Sequence, residues 1–315
     1  MGEREKEKLV VLIGPTAVGK TKLSIDIAKR LNGEIISGDS MQIYRSMDIG
    51  TAKITKSEME GVPHHLIDIK DPTESYSVAE FQQDVRSLIT DITNRGKLPM
   101  IVGGTGLYIQ SVIYDYVFSS IGSETTVRNQ LEKELGETGI EPLYEKLKTL
   151  DPISAERIHP NNHRRVIRAL EIFLTTGKTM TEYQDEQEED ILLYDVALIG
   201  LTMDRDKLYE RINKRVDIMV REGLVSEVTT LFNQGIRDVQ SIQAIGYKEI
   251  YEYLEGKVSF DEAIETLKRN SRRYAKRQLT WFRNKLNVTW IDMTDSDYEK
   301  KLTQIIQIIA GKLQS

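Results

Sequence analysis

The chain has 315 residues, 39% hydrophobic and 29% charged, which is enough for one large α/β domain with an insertion or for two domains. Cysteine is absent, which excludes disulfides, thiolate nucleophiles and cysteine-bound zinc and fits a reducing cytoplasm. The net charge of −6 means that nucleic-acid binding would need a local basic patch, and neither a membrane-spanning apolar run nor a secretory signal is evident.

The first motif is a glycine-rich loop between a predicted strand and a predicted helix. Residues 9–13 are a continuous apolar run, and apolar residues at 23–31 recur with the spacing of one helix face. This context distinguishes a P-loop, G-x-x-x-x-G-K-T, from an ordinary glycine turn. In such a loop Lys20 binds phosphate oxygens and Thr21 is a magnesium ligand. The predicted diphosphate- or triphosphate-binding residues are Gly14, Pro15, Thr16, Ala17, Val18, Gly19, Lys20 and Thr21.

A second predicted strand, residues 34–37, is followed closely by Asp39. Ligands of open parallel sheets lie beyond the carboxyl ends of the strands, so Asp39 is expected beside the phosphate loop. There it would serve as a magnesium ligand or as a general base. The alternative is that Asp39 caps a helix in the next segment, a position that aspartate also favours.

Residues 41–70 are irregular apart from a predicted strand at residues 66–69. The adjacent His64 and His65 would point to opposite faces of a strand, so we interpret them as structural or surface residues and not as metal ligands. Ser77 and Glu80 form a capping-box pattern that predicts a helix over residues 77–95.

The next predicted strand, residues 98–102, ends in Gly103, Gly104 and Thr105. In P-loop proteins that hydrolyse nucleoside triphosphates, such a strand ends in a carboxylate that helps to hold magnesium and orient water. The lack of an acid here argues against a motor or switch ATPase. Thr105 offers a neutral hydrogen-bond donor and acceptor instead.

Residues 118–193 are predicted to form a helical insertion, which leaves residues 1–117 and 194–315 as the P-loop core. The third of its predicted helices, residues 161–177, carries Arg164, Arg165 and Arg168 outside its apolar stripe. These arginines either contact nucleic acid or form a solvated face. An acidic run at residues 185–190 is interpreted as a solvated loop, and a core strand is predicted at residues 194–199.

Residues 204–221 predict a helix whose apolar face contains Leu208, Ile212 and Met219. Arg215 falls in the middle of this face, where a charge needs a partner. It is either half of a buried salt bridge with a core carboxylate or a guanidinium that clamps a phosphate.

A long helix is predicted over residues 259–285, and its second half is basic. From residue 268 to 285 there are eight lysines and arginines, no acid, and the aromatic residues Tyr274, Trp281 and Phe282. Cations follow a sugar–phosphate backbone and aromatic rings stack on exposed bases, so the pattern favours RNA binding over a solvated basic face. A strand at residues 288–292 and a helix at residues 295–313 complete the predicted elements.

Together these segments resemble the tRNA dimethylallyltransferases, also called tRNA isopentenyltransferases, over residues 9–290. Some eukaryotic members carry a C-terminal zinc finger, so a chain without cysteine resembles the shorter bacterial form. The resemblance rests on the motifs GPTAVGKT at 14–21, DSMQIY at 39–44, MDIGTAK at 47–53, VGGTGLY at 102–108, RALE at 168–171 and KRQLTWFR at 276–283.

The resemblance implies a P-loop NTPase-like parallel sheet flanked by helices, with an inserted all-helical tRNA-binding domain. It implies transfer of a dimethylallyl group from dimethylallyl diphosphate to the exocyclic amine of the adenosine 3′ of a tRNA anticodon. Magnesium would be the cofactor and the tRNA anticodon stem-loop the partner, with the protein a cytoplasmic monomer that has no membrane contact.

The resemblance also implies roles for particular residues. Asp39 matches the general base, Thr105 a residue that positions the base and the donor, and Arg215 a ligand of the diphosphate. The residues that match tRNA contacts are Asp39, Ser40, Met41, Gln42, Thr105, Arg128, Arg164, Arg165, Arg168, Gln243, Gly246, Lys248, Arg273, Lys276, Arg277, Trp281 and Arg283.

Two other enzyme classes stay open from the sequence. An adenylate isopentenyltransferase would share the P-loop and Asp39 but act on a free nucleotide, with no need for the basic helix. A P-loop small-molecule kinase would use the loop for ATP and would need a second magnesium carboxylate and an arginine lid. A protein that only binds RNA would leave the phosphate loop unexplained.

Overall fold

The computed structural model describes residues 6–116, 125–185, 191–295 and 297–313. The chain divides into two compact units, one formed by Met1–Ile113 with Leu192–Ser315 and the other by Tyr114–Ile191. The predicted boundary at residues 117–118 and nearly all of the acidic run at 185–190 lie outside the described residues. Within the described ranges, no helix has both the length and the apolarity needed to cross a membrane.

The first unit is built on a parallel sheet. In the described chain its strands are β1 (Lys8–Ile13), β2 (Gly33–Gly38), β3 (His64–His65), β4 (Leu98–Gly103), β5 (Asp195–Thr202) and β6 (Thr289–Asp292). They lie in the order β3-β2-β4-β1-β5-β6, and every neighbouring pair is parallel. Central parallel strands are covered on both faces, which explains why five of the six residues of β1 are buried.

Helices surround this sheet and make up the second unit. In chain order the helices are α1 (Lys20–Leu31), α2 (Val78–Asn94), α3 (Gly106–Ile113), α4 (Thr125–Thr138), α5 (Glu141–Leu150), α6 (Pro152–Arg157), α7 (His163–Thr176), α8 (Met180–Asp185), α9 (Arg205–Glu222), α10 (Leu224–Asn233), α11 (Tyr247–Leu254), α12 (Phe260–Lys285) and α13 (Tyr298–Leu313). The α/β fold predicted from the sequence, a parallel sheet flanked by helices, is confirmed.

The register of the sheet brings three loops to one edge. Ile13 of β1 pairs with Gly103 of β4, and Gly103 pairs with Gly38 of β2. The backbones approach closely here. A Cβ added at Gly103 would lie only 2.3 Å from the carbonyl oxygen of Gly38, so a larger residue would not fit. The connections that follow β1, β2 and β4 therefore leave the sheet side by side.

The core of the first unit fixes the helices that border this edge. Buried side chains of β1, β5, α1, α9 and α13 form one cluster, which includes Leu12, Ile199, Leu23, Leu208 and Ile305. Burying one such side chain contributes about 1.5–3 kcal/mol to the free energy of folding. The cluster therefore holds α1 and α9 firmly against the sheet.

The second unit has a core of its own. Leu131 of α4, Leu143 and Leu147 of α5 and Leu170 of α7 are buried together. The three helices predicted here correspond to α4, α5 and α7, whereas α6 and α8 were not predicted. The buried Asp151 explains how these short helices are held, because its carboxylate accepts hydrogen bonds from the N–H groups of Ser154 (3.0 Å) and Met180 (2.9 Å).

The predicted strand at residues 66–69 is wrong. Leu66 and Asp68 have φ values of 60° and 57°, which lie in the left-handed region and cannot continue a strand. The edge strand is only the two residues of β3, which pair with Ile35 and Ile36. The apolar residues at 66–69 resemble a strand in sequence because Leu66 is buried, although its backbone is irregular.

Candidate functional site

The phosphate loop joins β1 to α1. Ala17 and Gly19 have φ values of 67° and 109°, and Gly19 is the N-cap of α1. Left-handed positions of this kind let successive N–H groups converge on an anion at a helix N-terminus. The Lys20 ammonium lies across the loop and donates hydrogen bonds to the carbonyl oxygens of Gly14 (2.8 Å) and Pro15 (2.9 Å).

Lys20 is electrostatically coupled to two other predicted site residues. Burial lowers the pKa of the Lys20 ammonium to about 8, the negative charge of Asp39 opposes this shift and the positive charge of Arg215 adds to it. These couplings show that a loop residue, a residue after β2 and a residue of α9 lie in one cluster. The lowered pKa therefore reflects chiefly the removal of solvent from the buried ammonium.

Asp39 lies at the carboxyl end of β2, as predicted. Its Oδ1 accepts a hydrogen bond from the N–H group of Met41 (2.8 Å), and the segment that follows is a turn and not a helix. Asp39 is therefore a turn residue and not a helix cap. Its Oδ2 accepts no hydrogen bond from any described residue, so one carboxylate oxygen remains available.

Arg215 lies on α9 beside the buried stripe, which consists of Leu208, Ile212 and Val216, with Met219 only half-buried. Burial lowers the pKa of the Arg215 guanidinium, and the nearby charges of Asp39 and Glu58 oppose the shift. Among the described residues Arg215 forms no ion pair. The interpretation as half of a buried salt bridge therefore has no support in the geometry.

Arg211 is a site residue that the sequence reasoning missed. A Cβ added at Gly19 would lie 3.9 Å from the Nη2 atom of Arg211, so this guanidinium borders the phosphate loop. Its positive charge also lowers the pKa of Arg215, one helical turn away. The spacing of four residues was the available signal, because it puts both arginines on one face of α9.

Thr105 follows β4 at the same edge of the sheet. Its N–H group donates to the carbonyl oxygen of Gly38 (3.3 Å), which joins the ends of β4 and β2. Its hydroxyl oxygen is buried and meets no partner with full hydrogen-bond geometry in the described chain, although it lies near enough to the Tyr274 hydroxyl to lower the pKa of that group slightly. A buried polar atom without a partner needs an explanation, and a substrate contact supplies one. The neighbouring Tyr274 was noted only as an aromatic residue; burial and Asp39 raise its pKa to about 12.

Helix α12 packs directly on the loops of the site. The side chain of Gln278 accepts a hydrogen bond from the Thr16 N–H (3.1 Å) and donates one to the Gly104 carbonyl (3.0 Å). A Cβ added at Gly106 would lie 2.2 Å from the ring of Trp281. The sequence reasoning did not single out Gln278; its place among buried Ala275 and Phe282 of a basic helix was the signal.

The basic stretch of α12 has two different faces. Lys268 pairs with Asp217 (2.9 Å), and Arg272 donates a hydrogen bond to Asn213 (2.5 Å), so these two cations hold α12 to α9. The four cations of α12 that were predicted to contact tRNA are exposed and form no ion pair within the described ranges. They are Arg273, Lys276, Arg277 and Arg283.

The segments at residues 40–50 and 243–248 are held together by a partly buried network. Glu227 of α10 accepts hydrogen bonds from three successive N–H groups at residues 48–50 and from the Tyr247 hydroxyl. Ser40, Met41 and Gln42 are partly exposed beside it. Of the other predicted tRNA residues here, Gln243 is exposed and Lys248 partly exposed. Gly246 is buried and its N–H group donates to Glu249.

The four arginines of the second unit that were predicted to contact tRNA fall into two groups. Arg168 and Arg128 lie 2.8 and 3.6 Å from the buried carboxylate of Glu171, so both carry a structural ion pair. Arg164 and Arg165, at the start of α7, are exposed and form no ion pair with a described residue. These two guanidinium groups are therefore open to solvent.

Comparisons with known proteins identify the family of the chain. A family model described as IPP transferase matches residues 42–285. A tRNA dimethylallyltransferase of Bacillus cereus (strain AH187) is 65% identical over 314 residues, which cover 100% of this chain and 98% of the relative.

Solved structures give the same result. A full-length tRNA isopentenylpyrophosphate transferase from Bacillus halodurans is 60% identical with a TM-score of 0.76, covering 98% of this chain and 97% of that one. A eukaryotic dimethylallyltransferase acting on tRNA is 34% identical with a TM-score of 0.81, covering 95% of this chain and 77% of that one. The resemblance inferred from the motifs is thus confirmed: this chain belongs to the IPP transferase family, with relatives named tRNA dimethylallyltransferase.

Proposed function

We propose that the protein transfers a dimethylallyl group from dimethylallyl diphosphate to the exocyclic amine of the adenosine 3′ of a tRNA anticodon, with release of diphosphate. One observation carries the proposal. A phosphate loop bordered by three cations faces a carboxylate with a free oxygen, at a sheet edge that lacks the hydrolytic acid of an ATPase. The names of the close relatives support the same transfer.

The phosphate loop is suited to a diphosphate leaving group. As the allylic carbon departs, positive charge grows on the carbon and negative charge grows on the diphosphate oxygens. Lys20, Arg211 and Arg215 supply positive charge on that side, together with the loop N–H groups. Donors that are already in place stabilise such charge without reorganisation, so they lower the barrier to transfer.

The acceptor side requires a base and a fixed geometry. An adenine amine is a weak nucleophile, so its proton must be removed as the new C–N bond forms, and Asp39 Oδ2 is the proposed base. The unpartnered hydroxyl of Thr105 and the neighbouring Tyr274 are proposed to orient the adenine. The base is stacked in the free anticodon loop and must be turned out of it to reach this site.

Magnesium is the proposed cofactor. Within the described chain, no three His, Asp or Glu side chains are grouped so that they could hold a metal by themselves. Magnesium does not need such a cage, because it is commonly held by one or two protein oxygens and substrate phosphates. The exposed Thr21 hydroxyl at the start of α1 fits that pattern and would hold the ion, which would neutralise diphosphate charge.

In the first unit, the exposed cations of α12 are proposed to contact the tRNA. In the second unit, Arg164 and Arg165 are proposed as tRNA contacts on their own evidence, their exposure and lack of an ion pair with a described residue. All proposed site residues come from one chain, so we propose that the enzyme acts as a monomer. Its lack of cysteine fits the cytoplasm, where we place the reaction.

Labelled dimethylallyl diphosphate tests the proposal directly. With tRNA as acceptor, the label should appear on the adenosine next to the anticodon; with AMP it should not. Label on AMP alone would instead support an adenylate isopentenyltransferase, and a sample that labels neither acceptor would contradict both readings.

Replacing the proposed base gives a second test. Asp39→Asn should lower the single-turnover transfer rate by about a hundredfold or more, while the affinities for donor and tRNA stay close to those of the wild type. If affinity alone falls and the single-turnover rate is unchanged, Asp39 is a binding residue and not the base.

A further inference from the structure

Gln278 lies between two loops of the site but has no role in the proposed chemistry. It lies on α12, is 7% exposed, and has both ends of its side-chain amide engaged. The oxygen accepts a hydrogen bond from the N–H of Thr16 in the phosphate loop, and the nitrogen donates to the carbonyl of Gly104 after β4. One side chain thus joins the two loops that flank the reaction.

The protein leaves space for this contact. A Cβ added at Gly104 would lie 2.1 Å from the Nε2 atom of Gln278, so any larger residue there would displace the amide. Gly106 makes the same allowance for Trp281, one turn further along α12. Two glycines of the motif VGGTGLY therefore allow α12 to pack closely against this loop. Their role is to leave space and not to make the backbone flexible.

The opposite side of α12 is the proposed tRNA surface. Arg273, Lys276 and Arg277 are exposed, whereas Gln278 faces the interior. A buried amide cannot reach a bound tRNA, although Gln278 belongs to the same basic motif. The Thr16 N–H donates to Gln278, so it is not free for a diphosphate while that hydrogen bond is kept.

We propose that Gln278 is a positioning residue that holds the phosphate loop in register with the loop of Thr105. It acts through the Thr16 N–H and the Gly104 carbonyl, and it fixes both loops to the helix that carries the tRNA cations. The donor and the unpartnered Thr105 hydroxyl thereby keep a constant separation. This inference rests on the proposed prenyl transfer.

The test uses Gln278→Met, which keeps the length and burial of the side chain but removes both hydrogen bonds. The matched control is Gln304→Met on the exposed face of α13. For each full-length protein, the measurements are the affinity for inorganic diphosphate with magnesium, the affinity for tRNA, the melting temperature, and the single-turnover rate with both substrates saturating.

Gln278→Met is expected to weaken diphosphate binding by about tenfold and to lower the saturated single-turnover rate by about ten- to a hundredfold. Its tRNA affinity should stay within about twofold of the control. A loss of tRNA affinity with an unchanged saturated rate would make Gln278 a tRNA contact and overturn the inference. So would wild-type values, or a lower melting temperature as the sole change.

Gly104→Ala approaches the same contact from the other partner and covers the case in which Gln278→Met does not fold. It should reproduce the losses in diphosphate affinity and rate, because the added Cβ displaces the Gln278 amide. Wild-type behaviour of Gly104→Ala would overturn the inference. The wild-type protein itself tests the proposed function: if it transfers no label to tRNA, prenyl transfer fails, whereas diphosphate binding still tests Gln278.

Discussion

At the scale of single residues, three cations border the phosphate loop. They are Lys20, Arg211 and Arg215, and the charges of Asp39, Glu58 and Glu222 reach Arg215. Lys20 and Arg215 are also largely removed from solvent, which makes their charged forms less favourable until an anion binds. Two responses of the site follow from this.

The first response concerns pH. The pKa of Lys20 is lowered to about 8, so the free protein loses this charge as the pH rises through 8. A bound diphosphate favours the protonated ammonium, so affinity for dimethylallyl diphosphate should fall by up to about tenfold per pH unit above pH 8. Calorimetric titration between pH 7 and 9.5 measures this. Lys20→Met should bind dimethylallyl diphosphate weakly, and its affinity should not fall in this way with pH. Equal slopes of affinity against pH for the wild type and Lys20→Met would show that Lys20 is not the group that titrates.

The second response concerns Arg211. Arg211→Gln removes one charge-assisted contact, and the dissociation constant of the donor should rise by about tenfold or more, which corresponds to about 1.5–3 kcal/mol. Lys214→Gln, an exposed cation on the same helix, is the matched control and should leave donor affinity unchanged. Equal effects of the two substitutions would show only a general loss of positive charge.

At the scale of elements, a buried carboxylate joins three neighbouring segments. Glu34 at the start of β2 is 2% exposed and contacts Arg95 after α2, Lys97 before β4 and His65 of β3. Hydrogen bonds from Arg95 are the main cause that lowers the pKa of Glu34 to about 2. Its charged form therefore stabilises the fold above the usual glutamate pKa, and this contribution disappears as the pH falls towards 2.

Glu34→Gln should accordingly lower the free energy of unfolding at pH 7 by about 3 kcal/mol, the equivalent of the pKa shift. The gap between wild type and variant should narrow steadily below pH 4.5. Urea denaturation at several pH values measures both effects. Glu299→Gln removes an exposed ion pair with Arg30 and should cost less than about 1 kcal/mol. A gap that does not depend on pH would exclude the charged network as its cause.

Helix α12 is the second element that can be tested, because its exposed cations differ from the cation that binds α9. The triple substitution Arg273→Gln, Lys276→Gln and Arg277→Gln removes exposed cations. The negative slope of log affinity for tRNA against log salt concentration should therefore become shallower by about 2. Arg272→Gln should leave that slope unchanged, because Arg272 is bound to Asn213 of α9. Filter binding over a range of salt concentrations distinguishes the two. Equal slopes in all three proteins would mean that the exposed face is only solvated.

At the scale of the whole molecule, we expect the P-loop fold to act without nucleotide hydrolysis. The strand β4, which carries an acid in hydrolytic relatives of the fold, ends here in glycine and Thr105. The nearby acid Asp39 is assigned to the adenosine amine. ATP should therefore compete weakly with dimethylallyl diphosphate and release no phosphate, with or without tRNA, in a phosphate-release assay. Stimulation of ATP hydrolysis by tRNA would favour an ATPase or kinase.

The sequence by itself determined the features that depend on local pattern. The glycine-rich loop between β1 and α1 and the capping box at Ser77 are set by the chemistry of residues a few positions apart, and both appear where they were expected. The helical stripes were expected on the same grounds, and in α9 Val216 is buried in place of the predicted Met219. The motifs also identified the family, because six short patterns in fixed order are far more specific than one. A local pattern failed at residues 66–69, where left-handed residues cannot be distinguished from strand residues by their apolar letters.

Only the tertiary structure decided which polar residues meet across the fold. Periodicity assigns a residue to a face of its own helix, but it does not say which neighbour that face contacts. Arg272 and Arg273 are adjacent in one basic run, yet one binds α9 and the other is exposed. Gln278 and Arg211 reach the phosphate loop for the same reason: helices distant in sequence are brought to one sheet edge by burial of the core between them.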